Sequence, residues 1–184
     1  MKLAVFLVGP PNAGKSTIAN ILADLSESIP QPRPTNGVRI LEFERSIVLQ
    51  DGRKAQAKVL NAKVELWDTS GDDRFLPHWA ALSSAAQAAV FVYSADSKND
   101  KDLEKWAKSF PNVKETQMLV IGHKLSGNPS SSKPRLGKPL SKAPFQATSN
   151  QDPHSIKNAF DMLLQTAAAA VSAEESQMFG GATP

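Results

Sequence analysis

A three-layer α/β fold is predicted, with a mostly parallel six-stranded sheet, one antiparallel strand and helices on both faces. Three observations carry this reading. Residues 3–8, 88–93 and 118–122 are nearly continuous apolar runs bounded by polar residues, the pattern of parallel strands covered on both faces. Directly after the first run stands Gly9-Pro10-Pro11-Asn12-Ala13-Gly14-Lys15-Ser16, followed by Ile18, Ile21, Leu22 and Leu25 at helical spacing, so a glycine-rich loop joins a buried strand to a helix. Finally, residues 38–49 and 57–66 flank Gln50-Asp51-Gly52-Arg53, and Asp-Gly is a strong hairpin signal, which implies an antiparallel pair.

The remaining elements follow in order. Residues 26–34 form a Ser/Pro-rich connection between the first helix and the hairpin. A polar, helical stretch at 72–86 leads to the strand at 88–93. Residues 100–110 place Leu103, Trp106, Ala107 and Phe110 on one face of an amphipathic helix that leads to the strand at 118–122. A loop at 124–142 precedes a short strand at 144–147. The last helix starts near Pro153, where proline suits the first turn, and ends at Gly180 and Gly181. The pattern reads β, α, β, β, α, β, α, β, α, β, α, including a helix between the last two strands. No linker separates two cores, so residues 1–176 are read as one domain and 177–184 as a flexible C-terminal tail.

Composition narrows the function. The 184 residues carry a net charge of +3 and no cysteine, so disulfides, prenylation and palmitoylation are excluded, and Lys2 excludes N-myristoylation. No apolar run is long enough to span a bilayer and no signal peptide is evident. Membrane association is therefore expected through a partner, without a direct lipid anchor. The basic residues Lys124, Lys133, Arg135, Lys138 and Lys142 lie in a Ser/Pro/Gly-rich segment with no aromatic residue, which reads as a solvated loop and gives no nucleic-acid footprint.

The glycine-rich run matches the phosphate-binding pattern G-x-x-x-x-G-K-[ST]. Its chemistry needs these residue types: glycines let backbone N–H groups curl around phosphate oxygens, Lys15 supplies a point charge, and Ser16 offers a hydroxyl to Mg²⁺. Pro10 and Pro11 lack N–H groups, so the cradle falls to Asn12, Ala13, Gly14, Lys15, Ser16 and Thr17, entered through Gly9. Asn12 is the residue that tolerates a positive φ there. At the end of a strand, Asp68-Thr69-Ser70-Gly71 offers a carboxylate to hold Mg²⁺ through water and, at Gly71, an amide to approach a γ-phosphate. Thr35, just before the hairpin, is placed to bring a hydroxyl to the same cation. The expected ligand is a nucleoside triphosphate with Mg²⁺.

These three motifs together resemble those of Ras-like small GTPases, over most of the chain. More narrowly, Pro34-Thr35-Asn36-Gly37-Val38-Arg39-Ile40-Leu41-Glu42-Phe43-Glu44, Glu65-Leu66-Trp67-Asp68 and Gly122-His123-Lys124 are similar to the atypical Rab-like small GTPases of the ciliary intraflagellar transport B complex. The resemblance implies GTP or GDP with Mg²⁺. It also implies base contacts from His123, Lys124, Ser126, Ser149 and Asn150. Where the family carries an Asp that pairs with guanine, this chain has Ser126, whose single hydroxyl cannot pair bidentately, so guanine selectivity is expected to be weak and ATP is not excluded. Asp72 stands at the family's Gln position and brings negative charge toward the γ-phosphate. No catalytic residue is secure, and at most a slow GTPase is expected.

The resemblance further implies a nucleotide-dependent assembly role in cilium formation, with coiled-coil subunits of the intraflagellar transport B complex as partners. The location implied is cytoplasm and cilium or flagellum, near the basal body. Ile40, Trp67 and Leu82 fall where Rab-like proteins form an apolar contact patch, although Trp67 reads equally well as core. Two alternatives stay open: a phosphate-loop kinase, for which Arg33, Arg39, Arg53, Arg74 and Arg135 are too scattered to form an obvious lid, and a structural pseudo-GTPase.

Overall fold

The computed structural model describes residues 1–27, 32–50, 57–97, 99–129 and 132–179. Strand β1 (Lys2–Val8) leads through the glycine-rich loop to helix α1 (Lys15–Leu22). Strands β2 (Val38–Gln50) and β3 (Ala57–Thr69) follow, then α2 (Leu76–Leu82), β4 (Ala88–Ser94), α3 (Leu103–Ala107), β5 (Met118–Lys124), β6 (Phe145–Ser149) and α4 (Pro153–Phe179). The six strands lie in the order β2-β3-β1-β4-β5-β6. All neighbours are parallel except β2 and β3, which pair antiparallel from Val38↔Thr69 to Gln50↔Ala57.

Alternation along β1 builds both layers, because successive side chains leave a strand on opposite faces. Leu3, Val5 and Leu7 pack with Ile18 and Leu22 of α1 and with Phe160 and Leu164 of α4. Phe6 and Val8 pack on the other face with Trp79 of α2, and with Trp106 and Phe110 in and beyond α3. Phe6 stacks on Trp67 and meets Phe110 edge-on. Each such side chain, fully buried, stabilises the fold by about 1.5–3 kcal/mol.

The fold class is the expected one, and its helices differ in extent. The stretch at 72–86 is a 3-10 turn at Asp73–Phe75, helix α2, and a second 3-10 turn at Ser83–Ala85. The amphipathic stretch at 100–110 regularises as α-helix only over α3. A 3-10 turn at Asp100–Asp102 precedes it, and tight i→i+3 bonds from Ser109 and Phe110 end it before Pro111. The helix expected between β5 and β6 is absent among the described residues; only a 3-10 turn at Leu140–Lys142 is present. Pro129, Pro134 and Pro139 interrupt that segment, and proline removes a helical N–H and clashes with the preceding turn.

Helix α4 continues to Phe179, past the expected domain end at 176. The Asp51-Gly52 turn, the middle of the 26–34 connection, and Gly180 and Gly181 lie outside the described residues. Among the described residues no helix is long and apolar enough to cross a membrane.

Candidate functional site

The loops that follow β1, β3, β5 and β6 gather at the carboxyl ends of the strands, where the chain leaves β1 toward β2 and β3 and later returns to β4 on its other side. Open α/β sheets bind ligands at such a switch point. A cleft of about 1070 Å³ opens there, lined by Asn12, Ala13, Gly14, Lys15, Ser16 and Thr17, by Thr35, by Gly71 and Asp72, and by Leu125 and Asn150.

The phosphate loop has the expected backbone. Asn12 adopts φ 58° and Gly14 φ 88°. Gly14 caps α1 without a side-chain hydrogen bond, and no acid lies in the first turn, so the positive end of the helix faces the cleft unneutralised. A Cβ on Gly14 would lie 2.3 Å from His123 Cδ2. Lys15 is buried, and its Nζ donates to the carbonyls of Gly9 and Pro10 at 2.9 and 2.8 Å. Burial pushes its pKa down to about 8, against a partial upward pull from the Asp68 charge. At Gly71, a Cβ would fall 2.4 Å from Pro11 N and 2.8 Å from Lys15 Nζ. Only glycine lets this backbone come so close to the phosphate loop.

Ser16, Thr35 and Asp68 come from three different segments and meet. Ser16 Oγ and Thr35 Oγ1 are 2.9 Å apart, and Thr35 Oγ1 lies 3.3 Å from Asp68 Oδ2. Thr35 reaches this place because the β2–β3 ladder extends beyond Thr69, where Ser70 N donates to Gly37 O. Asp68 is fully buried, and its Oδ1 has no hydrogen-bond partner among the described residues. Neighbouring oxygens on an octahedral Mg²⁺ with bonds of about 2.1 Å sit roughly 2.9 Å apart, so the hydroxyl pair and the orphaned carboxylate oxygen fit such a cation. Sequence reasoning missed one member of this cluster. Arg39 lies opposite Asp68 in the β2–β3 register, and its Nη2 bonds Asp68 Oδ2 at 3.1 Å and Asn20 Oδ1 at 2.9 Å. The signal was available in the hairpin, though only once its register is known.

Asp72 lines the cleft and is paired with Arg74. Its carboxylate accepts from Arg74 Nε at 2.9 Å, Arg74 Nη2 at 2.6 Å and the Arg74 backbone N at 2.9 Å, so that it caps the following turn. The Arg74 hydrogen bonds draw its pKa below the ordinary carboxylate value, which makes it a poorer base.

At the base end the structure redistributes the expected residues. Leu125 and Asn150 line the cleft, whereas His123, Lys124, Ser126 and Ser149 are not among its lining residues. His123 is buried beneath the phosphate loop, its ring against Gly14. Asn150 Nδ2 donates to Leu125 O, which makes Asn150 Oδ1 the acceptor for a His123 Nε2–H at 2.9 Å. Nδ1 then accepts from the Thr148 hydroxyl at 2.9 Å. Burial lowers the His123 pKa, so the ring is a neutral strut joining loop, β5 and β6. Ser126 is exposed, and Ser149 is buried with Oγ unpartnered among the described residues.

The three apolar positions differ in burial. Ile40 and Leu82 are exposed. Trp67 is half-buried, opposite Ile40 in register and stacked on Phe6 at 4.8 Å. It packs on the core through Phe6 and is the cross-strand neighbour of Ile40.

Comparison with known proteins agrees with this geometry. Residues 4–126 match the family described as Ras of Complex, Roc, domain of DAPkinase. The intraflagellar transport protein 22 homolog of Danio rerio is 34% identical over 170 residues, 89% of this chain and 88% of that protein. The Homo sapiens homolog is 34% identical over 172 residues, 90% of each chain. A solved structure described as the T. brucei IFT22/74/81 GTP-bound crystal structure has the same fold, with TM-score 0.66 at 24% identity, covering 95% of this chain and 99% of that one. With its phosphate loop, its hydroxyl–carboxylate cluster and this similarity along nearly its full length, the chain belongs to the intraflagellar transport protein 22 family of Ras-like small GTPases.

Proposed function

We propose that this chain binds GTP or GDP with Mg²⁺ and acts as a nucleotide-dependent assembly subunit of the intraflagellar transport B complex, with weak hydrolysis. The convergence of Ser16, Thr35 and Asp68 behind the phosphate loop carries the reading. Two of these residues belong to the loop and strand that any phosphate-loop protein shares. Thr35 comes from the segment entering β2, so occupancy of the site bears directly on the shape of an outer loop.

Ser16 and Thr35 would hold Mg²⁺ by their hydroxyls and Asp68 would hold it through water; the cation would neutralise phosphate charge. Lys15 exchanges its carbonyl contacts for phosphate oxygens, and the α1 N-terminus and the Gly71 backbone orient the terminal phosphate. Asp72, tied to Arg74, has no amide donor to offer an attacking water, which supports slow hydrolysis. At the base, Leu125 offers an apolar surface, and Ser126 stands where the family carries the carboxylate that pairs with guanine. That arrangement supports modest discrimination against ATP.

The partners proposed are coiled-coil subunits of the transport complex, met at Ile40, Trp67 and Leu82, in the cytoplasm and the cilium or flagellum, near the basal body. The neighbour of similar fold is described as a GTP-bound complex with two further subunits, 74 and 81. Pull-down of such subunits with wild type, Ser16→Asn and Ile40→Asp tests both halves. Reduced capture by both variants is expected. Undiminished capture by both would mean that docking uses another surface and that the nucleotide has no part in it.

A further inference from the structure

The metal cluster already contains a cation. Arg39 Nη2 touches Asp68 Oδ2 at 3.1 Å, Asn20 Oδ1 at 2.9 Å and Ser16 O at 3.5 Å. It therefore bonds all at once to the carboxylate, to α1 and to the backbone of the residue whose hydroxyl meets Thr35. The placement is built into the fold, because cross-strand register sets Arg39 directly opposite Asp68 and the buried carboxylate cannot turn to solvent. Arg39 is not among the residues lining the cleft. It acts from behind, on the oxygen shared with Thr35, and leaves Oδ1 without a partner among the described residues.

We propose that Arg39 is a resident positive charge that substitutes for part of the metal's work at Asp68. It keeps Asp68, Ser16 and Thr35 assembled when no metal is bound. By like-charge repulsion it also weakens Mg²⁺ binding, so that nucleotide retention in this protein depends little on Mg²⁺. The inference rests on the reading that the cleft takes a nucleoside triphosphate. An arginine is suited to the task, since it stays charged at every physiological pH and its terminal Nη2 alone reaches the carboxylate, amide and backbone oxygens. Arg39 is thus a positioning residue, acting on the metal through Asp68.

The test uses the full chain loaded with the fluorescent analogue mant-GTP, with release followed after addition of excess unlabelled GTP, across a free Mg²⁺ titration and in EDTA. Wild type is expected to release at nearly the same rate with and without Mg²⁺. Arg39→Gln, which keeps polar contacts and removes the charge, should bind Mg²⁺ at least about fivefold more tightly and should lose nucleotide sharply in EDTA. Arg39→Lys keeps the charge and should follow wild type. Mn²⁺ binding to the mant-GTP complex, read by electron paramagnetic resonance, gives the metal affinity without any turnover.

A purely structural arginine would lower the thermal midpoint in Arg39→Gln and leave the Mg²⁺ midpoint unmoved, which would overturn the inference. If Arg39→Gln fails to fold, the wild-type titration decides alone: steep acceleration of release in EDTA overturns the proposal and flat release supports it. Failure of wild type to bind mant-GTP at any Mg²⁺ concentration would overturn the nucleotide reading itself, whereas binding with strong Mg²⁺ dependence overturns only the role of Arg39.

Discussion

Lys15 is an ammonium group buried with two carbonyl oxygens as its hydrogen-bond partners. Its pKa falls from 10.5 to about 8 because burial disfavours the charged form. A lowered amine pKa means that the folded protein holds fewer protons than the unfolded chain between these values, so stability rises with pH across that window and the penalty is complete below pH 8. The penalty is on the order of 3 kcal/mol. Two outcomes follow from the same charge. Lys15→Met should raise the denaturation midpoint of the ligand-free protein near pH 7 while abolishing nucleotide binding, as read by thermal denaturation with and without GTP. Binding at pH 8.5 should also take up protons, because phosphate restores the ammonium form, and calorimetry in buffers of different ionisation enthalpy measures that uptake. Asp72 gives the complementary case at this scale. Replacing it with Gln frees the position from Arg74 and restores an amide donor worth a neutral hydrogen bond, so single-turnover hydrolysis should accelerate about three- to tenfold. A rate that falls instead would make Asp72 the base.

Among the elements, the β2–β3 hairpin does most to build the site, since it brings Thr35, Arg39 and Asp68 together. The antiparallel pair was readable from the Asp51-Gly52 signal between residues 38–49 and 57–66. The pairing of Arg39 with Asp68 was not readable, because a shift of one residue would move Arg39 to the other face, and nothing local chooses between the two registers. His123 shows the same limit. Its place in the motif suggested the base, yet the gap left by Gly14, the Thr148 hydroxyl that donates from β6 and the Asn150 carbonyl oxygen just beyond it hold the ring beneath the phosphate loop. Asp72 was legible as a departure from the family pattern, while its neutralisation by Arg74 two residues later depends on the local turn. Helix α3 is only five residues long, too short to be stable by its own hydrogen bonds, so packing must hold it. Trp106 is fully buried against Phe6, Phe91 and Phe110 in one cluster. Trp106→Ala should cost about 3–5 kcal/mol in urea denaturation, and a loss below about 1 kcal/mol would show that α3 is held by other contacts.

For the whole molecule, the sheet order gathers the phosphate-facing segments at the carboxyl ends of the adjacent interior strands β1 and β3, and this part of the account was legible from motifs that are contiguous in sequence. The base end was less legible because it is assembled from loops after β5 and β6, with Leu125 and Asn150 at the cleft and Ser126 turned to solvent. A site that hydrogen-bonds its base fully discriminates by roughly 10⁴ or more, and this one should prefer GTP over ATP by far less. The most direct test of the central claim is a calorimetric titration of the purified chain with GTP and Mg²⁺, beside Lys15→Ala. The account predicts one equivalent bound by wild type and none by Lys15→Ala. Absence of binding by wild type, or equal binding by the variant, would contradict it.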